Sequence, residues 1–221
     1  MQACGPDHRR DVIGGDNVAS EDDMLRKLPI VGVFGSGSLI DAARTALAQR
    51  VGAMVAGLGA HLLTGGGYGI MAAVAQGFVD APDRTGLSIG IIPRRPDGAF
   101  DEPGHDASGR TYPNPFVEIA IRTPLLSRIE DWRTTPVRNH VNVLTADAII
   151  ALPGGFGTAN ELEIAMEYYG ERHRPPAARR AVLLGPAEEF APWQHEMYVH
   201  CEKIGEAEGQ VRRVLERRKA A

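Results

Sequence analysis

The chain reads as an α/β protein: a single doubly wound, Rossmann-like domain in which helices flank a mainly parallel sheet. Three observations predict this. Short apolar runs rich in Val, Ile and Leu alternate with helix-length segments. Three of those runs end directly in glycine-rich turns. Turns that follow parallel strands open on one edge of the sheet, the edge where such folds bind ligands.

In order along the chain, Ile30-Val31-Gly32-Val33-Phe34 is a strand ending in Gly35-Ser36-Gly37-Ser38, and an alanine-rich helix follows over about residues 39–58. His61-Leu62-Leu63 is a second strand, ending in Thr64-Gly65-Gly66-Gly67-Tyr68-Gly69, and the next helix starts near Ile70 and runs to Val79. Leu87-Ser88-Ile89-Gly90-Ile91-Ile92 is a third strand, stopped by Pro93, which lacks the ladder N–H. Phe116-Val117-Glu118-Ile119-Ala120-Ile121 is a fourth. A helix over about residues 137–145 precedes a fifth strand, Ala148-Ile149-Ile150-Ala151-Leu152. Arg180-Ala181-Val182-Leu183-Leu184 is a sixth, and an amphipathic helix over residues 192–218 closes the chain. Residues 1–29, with Gly14-Gly15 and Glu21-Asp22-Asp23, are expected to be a disordered tail, leaving residues 30–221 as the domain.

Composition narrows the function classes. A net charge of −4 gives no bulk attraction to nucleic acid or to anionic membrane, so neither is an expected partner. No apolar stretch reaches membrane-spanning length, and residues 1–29 lack the apolar core of a signal peptide. Cys4 and Cys201 form neither a disulfide framework nor a metal-ligand spacing, so a cytoplasmic, reducing setting is expected. The only lysines are Lys27, Lys203 and Lys219, all remote from the glycine turns. A P-loop needs a lysine beside its last glycine, and pyridoxal phosphate chemistry needs one in the pocket, so both are disfavoured. His195 and His200, five apart on one presumed helix, would point in different directions, and no metal site is expected.

The strongest chemical signal is Pro153-Gly154-Gly155-Phe156-Gly157-Thr158-Ala159-Asn160-Glu161, between the fifth strand and an apolar helix pattern. Strand, glycine turn and helix aim backbone N–H groups and the positive end of a helix dipole at an anion. Glu161 brings a carboxylate to the same place. The spacing of Thr158 and Glu161 also fits a capping box, which would make both residues purely structural. The first turn is not a dinucleotide fingerprint, because Ile40 holds the third glycine position and no acid ends the second strand. No cofactor is expected, and the ligand offers one phosphate or a short phosphorylated sugar.

Two regions carry secondary candidates. Arg138, Asn139 and Asn142 lie on the helix before the motif, and Arg138 and Asn142, four apart, share a face. Spacing alone assigns that polar face to solvent, with Val141, Val143 and Leu144 on the buried side. Residues 94–136, rich in Pro, Gly and charge, read as a lid or an unstructured insertion. Arg94, Arg95, Glu118, Arg122 and Arg133 there are in reach of a ligand, although solvated surface explains most of them.

With these residues in view the chain resembles the LOG-like proteins, a family often mislabelled as lysine decarboxylases. Pro153 to Glu161 is similar to that family's PGGxGTxxE signature. Thr64-Gly65-Gly66-Gly67-Tyr68-Gly69-Ile70-Met71 resembles its second glycine turn, and Gly90-Ile91-Ile92-Pro93 its third strand. The resemblance covers roughly residues 30–185. It implies hydrolysis of nucleoside 5′-monophosphates at the N-glycosidic bond, with Glu161 as catalytic carboxylate and Arg138 as its partner. The ligand-binding set it implies is Gly35, Ser36, Gly37, Ser38, Gly65, Gly66, Gly67, Tyr68, Gly69, Met71, Pro93, Asn139, Asn142, Pro153, Gly154, Gly155, Phe156, Gly157 and Thr158. It also implies a homodimer. The scarcity of lysine contradicts the decarboxylase label. Asn139 stands where the hydrolases keep a lysine, and Tyr112-Pro113-Asn114-Pro115 looks more like a sister branch. That branch includes proteins similar to molybdenum cofactor carriers, so a carrier or sensor of a phosphorylated ligand is the alternative.

Overall fold

The computed structural model describes residues 27–38, 40–95, 104–105, 109–127 and 129–219. The expected tail falls mostly outside these residues, as does Leu39. Among the described residues, six α-helices flank a seven-stranded sheet. They are α1 (Ala42–Gly57), α2 (Ile70–Val79), α3 (Arg138–Thr145), α4 (Phe156–Tyr168), α5 (Pro192–Met197) and α6 (Ile204–Lys219). The strands are β1 (Ile30–Phe34), β2 (His61–Thr64), β3 (Ser88–Arg94), β6 (Ile119–Leu126), β7 (Ala148–Ala151), β8 (Ala181–Leu184) and β9 (Val199–Cys201). Their order is β6-β3-β2-β1-β7-β8-β9, and every pairing is parallel. A two-stranded antiparallel ribbon, β4 (Gly104–His105) with β5 (Thr111–Tyr112), stands apart.

The parallel arrangement buries both sheet faces, which is why the central strands are continuous apolar runs. Val31, Val33, Leu62 and Ile150 face the α1–α2–α6 side, while Phe34, Leu63, Ile149 and Ala151 face the α3–α4 side. Strand order reverses between β1 and its neighbours β2 and β7. The carboxyl ends of these three strands therefore frame the crevice where the chain changes direction.

Four boundaries differ from expectation, each for a physical reason. Helix α1 starts at Ala42, because the Asp41 side chain accepts the Arg44 N–H and fixes the cap there. Strand β3 runs through Pro93 to Arg94. Pairing with β2 has ended by Gly90, and on the β6 side the register shifts between Ile92 and Arg94, so the missing N–H falls at a bulge. Strand β6 begins at Ile119, three residues later than expected, because the Asn114 Oδ1 accepts the Phe116 N–H and holds that stretch in a turn. It tolerates Pro124 as the sheet's edge. The closing helix is in fact two helices around β9, whose Val199-His200-Cys201 pairs with β8. The His195 and His200 rings consequently meet, with centroids 5.0 Å apart, each ring accompanied by a backbone carbonyl at its Nε2. Among the described residues no metal-ligating cluster forms, and no helix is long and apolar enough to cross a membrane.

Candidate functional site

The three glycine turns meet in one cleft of about 260 Å³ at the carboxyl ends of β1, β2 and β7. Backbone contacts stitch them together. The Ser36 N–H donates to the Pro153 carbonyl, joining the first turn to the third, and the Ile70 N–H donates to the Ser36 carbonyl, joining it to the second. Gly69 has φ +61°, and a Cβ there would lie 2.4 Å from the Ser36 oxygen and 2.3 Å from that of Ser38. Only glycine permits this approach of two backbones.

The cleft is lined by Phe34, Gly35, Ser36, Gly37, Ser38, Gly65, Met71, Arg138, Asn139, Gly155, Gly157, Thr158 and Glu161. The other predicted residues lie beside or behind this wall. The Asn114 side chain holds the carbonyls of Gly66 and Gly67, and the Tyr68 hydroxyl donates to the Thr111 carbonyl. Gly69 and Pro153 join turns, Gly154 lies against the Thr158 hydroxyl, and Phe156 is half exposed. Pro93 occupies the β3 bulge, and Asn142 sits behind Glu161. Of the charged candidates from residues 94–136, Glu118 pairs with Arg84 and Arg133 with Glu163, and none of the five lines the cleft.

The third turn corrects the capping reading. Helix α4 begins at Phe156 with Gly155 as its N-cap and no side-chain cap bond. Thr158 is therefore already helical, and Glu161 lies in the second turn rather than the first. Its side chain caps nothing. It is 7% exposed and accepts a hydrogen bond of 2.7 Å from the Asn142 amide. Burial pushes the Glu161 carboxyl up to about 7, against the opposing pull of the Arg138 charge and the Asn142 hydrogen bond. The uncapped end of α4, with Gly155, Gly157 and Thr158 on the cleft wall, leaves the positive pole of the helix facing the cavity.

Helix α3 is oriented opposite to expectation. Asn139, His140, Asn142 and Val143 are buried, whereas Leu144 is half exposed. The polar face packs on α4: Asn139 donates to Asn160 at 2.9 Å, and Asn142 to Glu161. His140 Nδ1 accepts the Val137 N–H, closing the start of the helix, and burial lowers the His140 pKa against the opposing contact with the Val137 carbonyl. Arg138 reaches the cleft but is already engaged: its Nη1 donates to the carbonyls of Gly65 at 2.8 Å and Ile91 at 2.9 Å. Arg138 Nε, Asn142 Oδ1 and Asn160 Nδ2 are buried without a hydrogen-bond partner among the described residues. Each such atom left dry costs about 1–3 kcal/mol, and all three belong to residues of α3 and α4 beside the cleft.

Tyr112 and Asn114, which hold the second glycine turn, were missed as site residues by reasoning from sequence. The Tyr112-Pro113-Asn114-Pro115 run carried a family likeness but no periodicity or charge pattern that would announce the contacts.

Comparison with known proteins bears on this geometry. A family model described as LDcluster4, the SLOG cluster4 family, matches residues 28–171. An uncharacterised protein of Archaeoglobus fulgidus is 33% identical over 141 residues, covering 64% of this chain and 76% of that protein. The Moco carrier protein of Chlamydomonas reinhardtii superposes with a TM-score of 0.62 at 25% identity, covering 86% of this chain and 99% of that one. The molybdenum cofactor binding protein of the phototrophic bacterium Rippkaea orientalis gives 0.61 at 26% identity, covering 86% and 98%.

Proposed function

The chain belongs to the SLOG cluster4 family, and from that premise we propose that its cleft binds a phosphorylated sugar, specifically a nucleoside 5′-monophosphate, and hydrolyses the N-glycosidic bond. One observation carries the reading: a buried carboxyl, Glu161, on the wall of a cleft otherwise built from glycine turns and an uncapped helix end. Such turns suit a phosphate, because small residues and a helix N-terminus present N–H groups without steric obstruction. Arg138 brings a cation to the cleft wall, and the turn amides and the helix end add to its positive potential.

The chemistry follows from the carboxyl. Water adds its oxygen to the anomeric carbon, the carbon–nitrogen bond breaks with its electron pair leaving on the base, and the water proton ends on that base. Positive charge grows on the sugar along the way, and an ionised Glu161 stabilises it. A carboxyl that changes protonation near 7 can take the water proton and return it to the leaving base. Asn142 fixes one carboxyl oxygen, and Arg138 holds the neighbouring turn while its charge favours the ionised form. The homodimer expected from family resemblance belongs to this proposal.

A second reading, a carrier that holds its ligand intact, is favoured by the two molybdenum cofactor proteins among the structural relatives and by Asn139 at the position of the hydrolases' lysine. Incubating the purified protein with nucleoside monophosphates and pterin phosphates, with free base quantified by chromatography, separates the two. Base release by wild type and not by Glu161→Gln supports hydrolysis. Retention of an intact ligand with no release from any nucleotide transfers the conclusion to the carrier.

A further inference from the structure

We infer that Tyr112 and Asn114 form a positioning strap that sets the second glycine turn's backbone so that the Gly67 and Tyr68 amides, rather than the turn's carbonyls, are offered to the ligand's phosphate. The inference rests on the proposed use of the cleft for a phosphorylated ligand. The three carbonyls of Gly65, Gly66 and Gly67 are all held by side chains from outside the turn. The Gly65 oxygen accepts from the Tyr112 hydroxyl at 2.8 Å and from Arg138 Nη1 at 2.8 Å, and the Gly66 N–H of the same peptide donates to the Thr64 hydroxyl at 3.2 Å, so these bonds anchor the start of the turn. The oxygens of Gly66 and Gly67 accept from a single group, the Asn114 Nδ2, at 3.2 and 2.7 Å, and the Asn114 N–H adds a bond of 2.8 Å to Gly66.

A trans peptide points its C=O and the following N–H in opposite directions. Fixing the Gly66 and Gly67 oxygens on the Asn114 side therefore turns the N–H groups of Gly67 and Tyr68 away from it. Among the described residues neither N–H meets a protein acceptor. The Met71 methyl, on the cleft wall, packs at both Gly37 and Gly67, so the outer face of Gly67 adjoins the first turn. Left unrestrained, a run of three glycines would sample both peptide orientations, and a carbonyl facing the cleft would repel an anion.

Asn114 has the inventory for this task and nothing to spare. It is 1% exposed, its Nδ2 serves two carbonyls, and its Oδ1 accepts the Phe116 N–H at 3.0 Å. Asp would keep the size and the Phe116 bond but turn a carboxylate oxygen onto two carbonyl oxygens. Tyr112 contributes one hydroxyl bond, to the Gly65 carbonyl.

Ribose 5-phosphate binding, measured by titration calorimetry on wild type, Asn114→Asp and Tyr112→Phe, tests the strap. Melting temperatures are taken on the same samples without ligand, and Arg84→Gln, which breaks the ion pair with Glu118 beside the edge strand and away from the cleft, is the control. The expected result is affinity about tenfold or more weaker in Asn114→Asp and about two- to tenfold weaker in Tyr112→Phe, with Arg84→Gln unchanged. Should Asn114→Asp fail to fold, Tyr112→Phe decides. Equal affinity in wild type and in the folded variants overturns the strap while leaving the phosphate cleft standing. No binding by wild type overturns the cleft reading and the strap with it.

Discussion

Two glutamates, one beside the edge strand of the sheet and one in the central cleft, show what the protein does with a carboxyl. Glu118, just before the edge strand β6, has every need met: Arg84 binds both its oxygens, at 2.6 and 3.0 Å, and the Ser88 N–H adds a third bond at 2.9 Å. Burial alone would raise its pKa, but the Arg84 and Ser88 hydrogen bonds and the Arg84 charge together hold it below the usual carboxylate range. Glu161 is more deeply buried, has one amide donor, and rises to about 7. The first carboxyl is neutralised where it helps tie β3 to the segment leading into β6. The second is left short of partners where a cavity opens. A carboxyl that merely braced the fold would be partnered as Glu118 is, and the contrast is what singles out Glu161 for the proposed chemistry.

The sharpest way to break this comparison is to remove the charge from Glu161 and follow stability against pH. Unfolded, this carboxyl titrates at 4.5; folded, at about 7. Between those values the native state keeps a proton that the unfolded chain has released, so Glu161 lowers stability progressively as pH rises through this window. By linkage the full cost above pH 7 is about 3 kcal/mol. Glu161→Gln retains an acceptor for Asn142 and is expected to melt several degrees above wild type at pH 8, with the difference gone by pH 4. A variant less stable than wild type at pH 8 would mean that the charge is supported by the fold rather than tolerated by it. In the same variant, loss of base release by about 10²–10⁴-fold is the magnitude expected of a missing acid–base group.

The glutamate pair also shows what could be read from the sequence. The fold class and the meeting of three turns were legible, since apolar runs of strand length and the glycines after them are local signals. What Glu161 does was not. Its spacing from Thr158 fits a cap, and only the start of α4 at Phe156 shows that the helix has already formed when Thr158 arrives. The faces of α3 were misjudged for a related reason. Asn139 and Asn142 are polar by composition but pair with Asn160 and Glu161 across a helix interface, a partnership absent from any one segment's periodicity. The β9 interruption of the closing helix likewise depends on the free edge of β8, which lies outside the segment itself.

Asn142 sharpens the comparison at an intermediate scale. Its amide is the one hydrogen bond that favours the ionised form of Glu161, whose carboxyl is already lifted by burial. Asn142→Ala removes that bond and leaves a small void, so the pKa moves further up. If the ionised carboxylate is the working form, the rising limb of the pH–rate profile shifts to higher pH, and stability falls by about 1–3 kcal/mol at neutral pH. A profile that stays in place while the rate falls would show that another group sets it.

The smallest effect belongs to the edge. Arg84→Gln deprives Glu118 of its cation but leaves the Ser88 N–H in place. Because the Glu118 pKa is depressed in the fold, its contribution is present above the unfolded value of 4.5 and disappears as pH falls through the lower folded one. Both side chains are partly exposed, 22% for Arg84 and 32% for Glu118, so solvent screens the pair and the loss at pH 7 is about 1 kcal/mol or less. Melting curves in low and high salt check this: the wild-type advantage should shrink with salt and vanish in acid, opposite in its pH sense to Glu161→Gln. A loss at pH 7 as large as the gain from Glu161→Gln would place the two carboxyls in the same class and remove the reason for singling out the cleft.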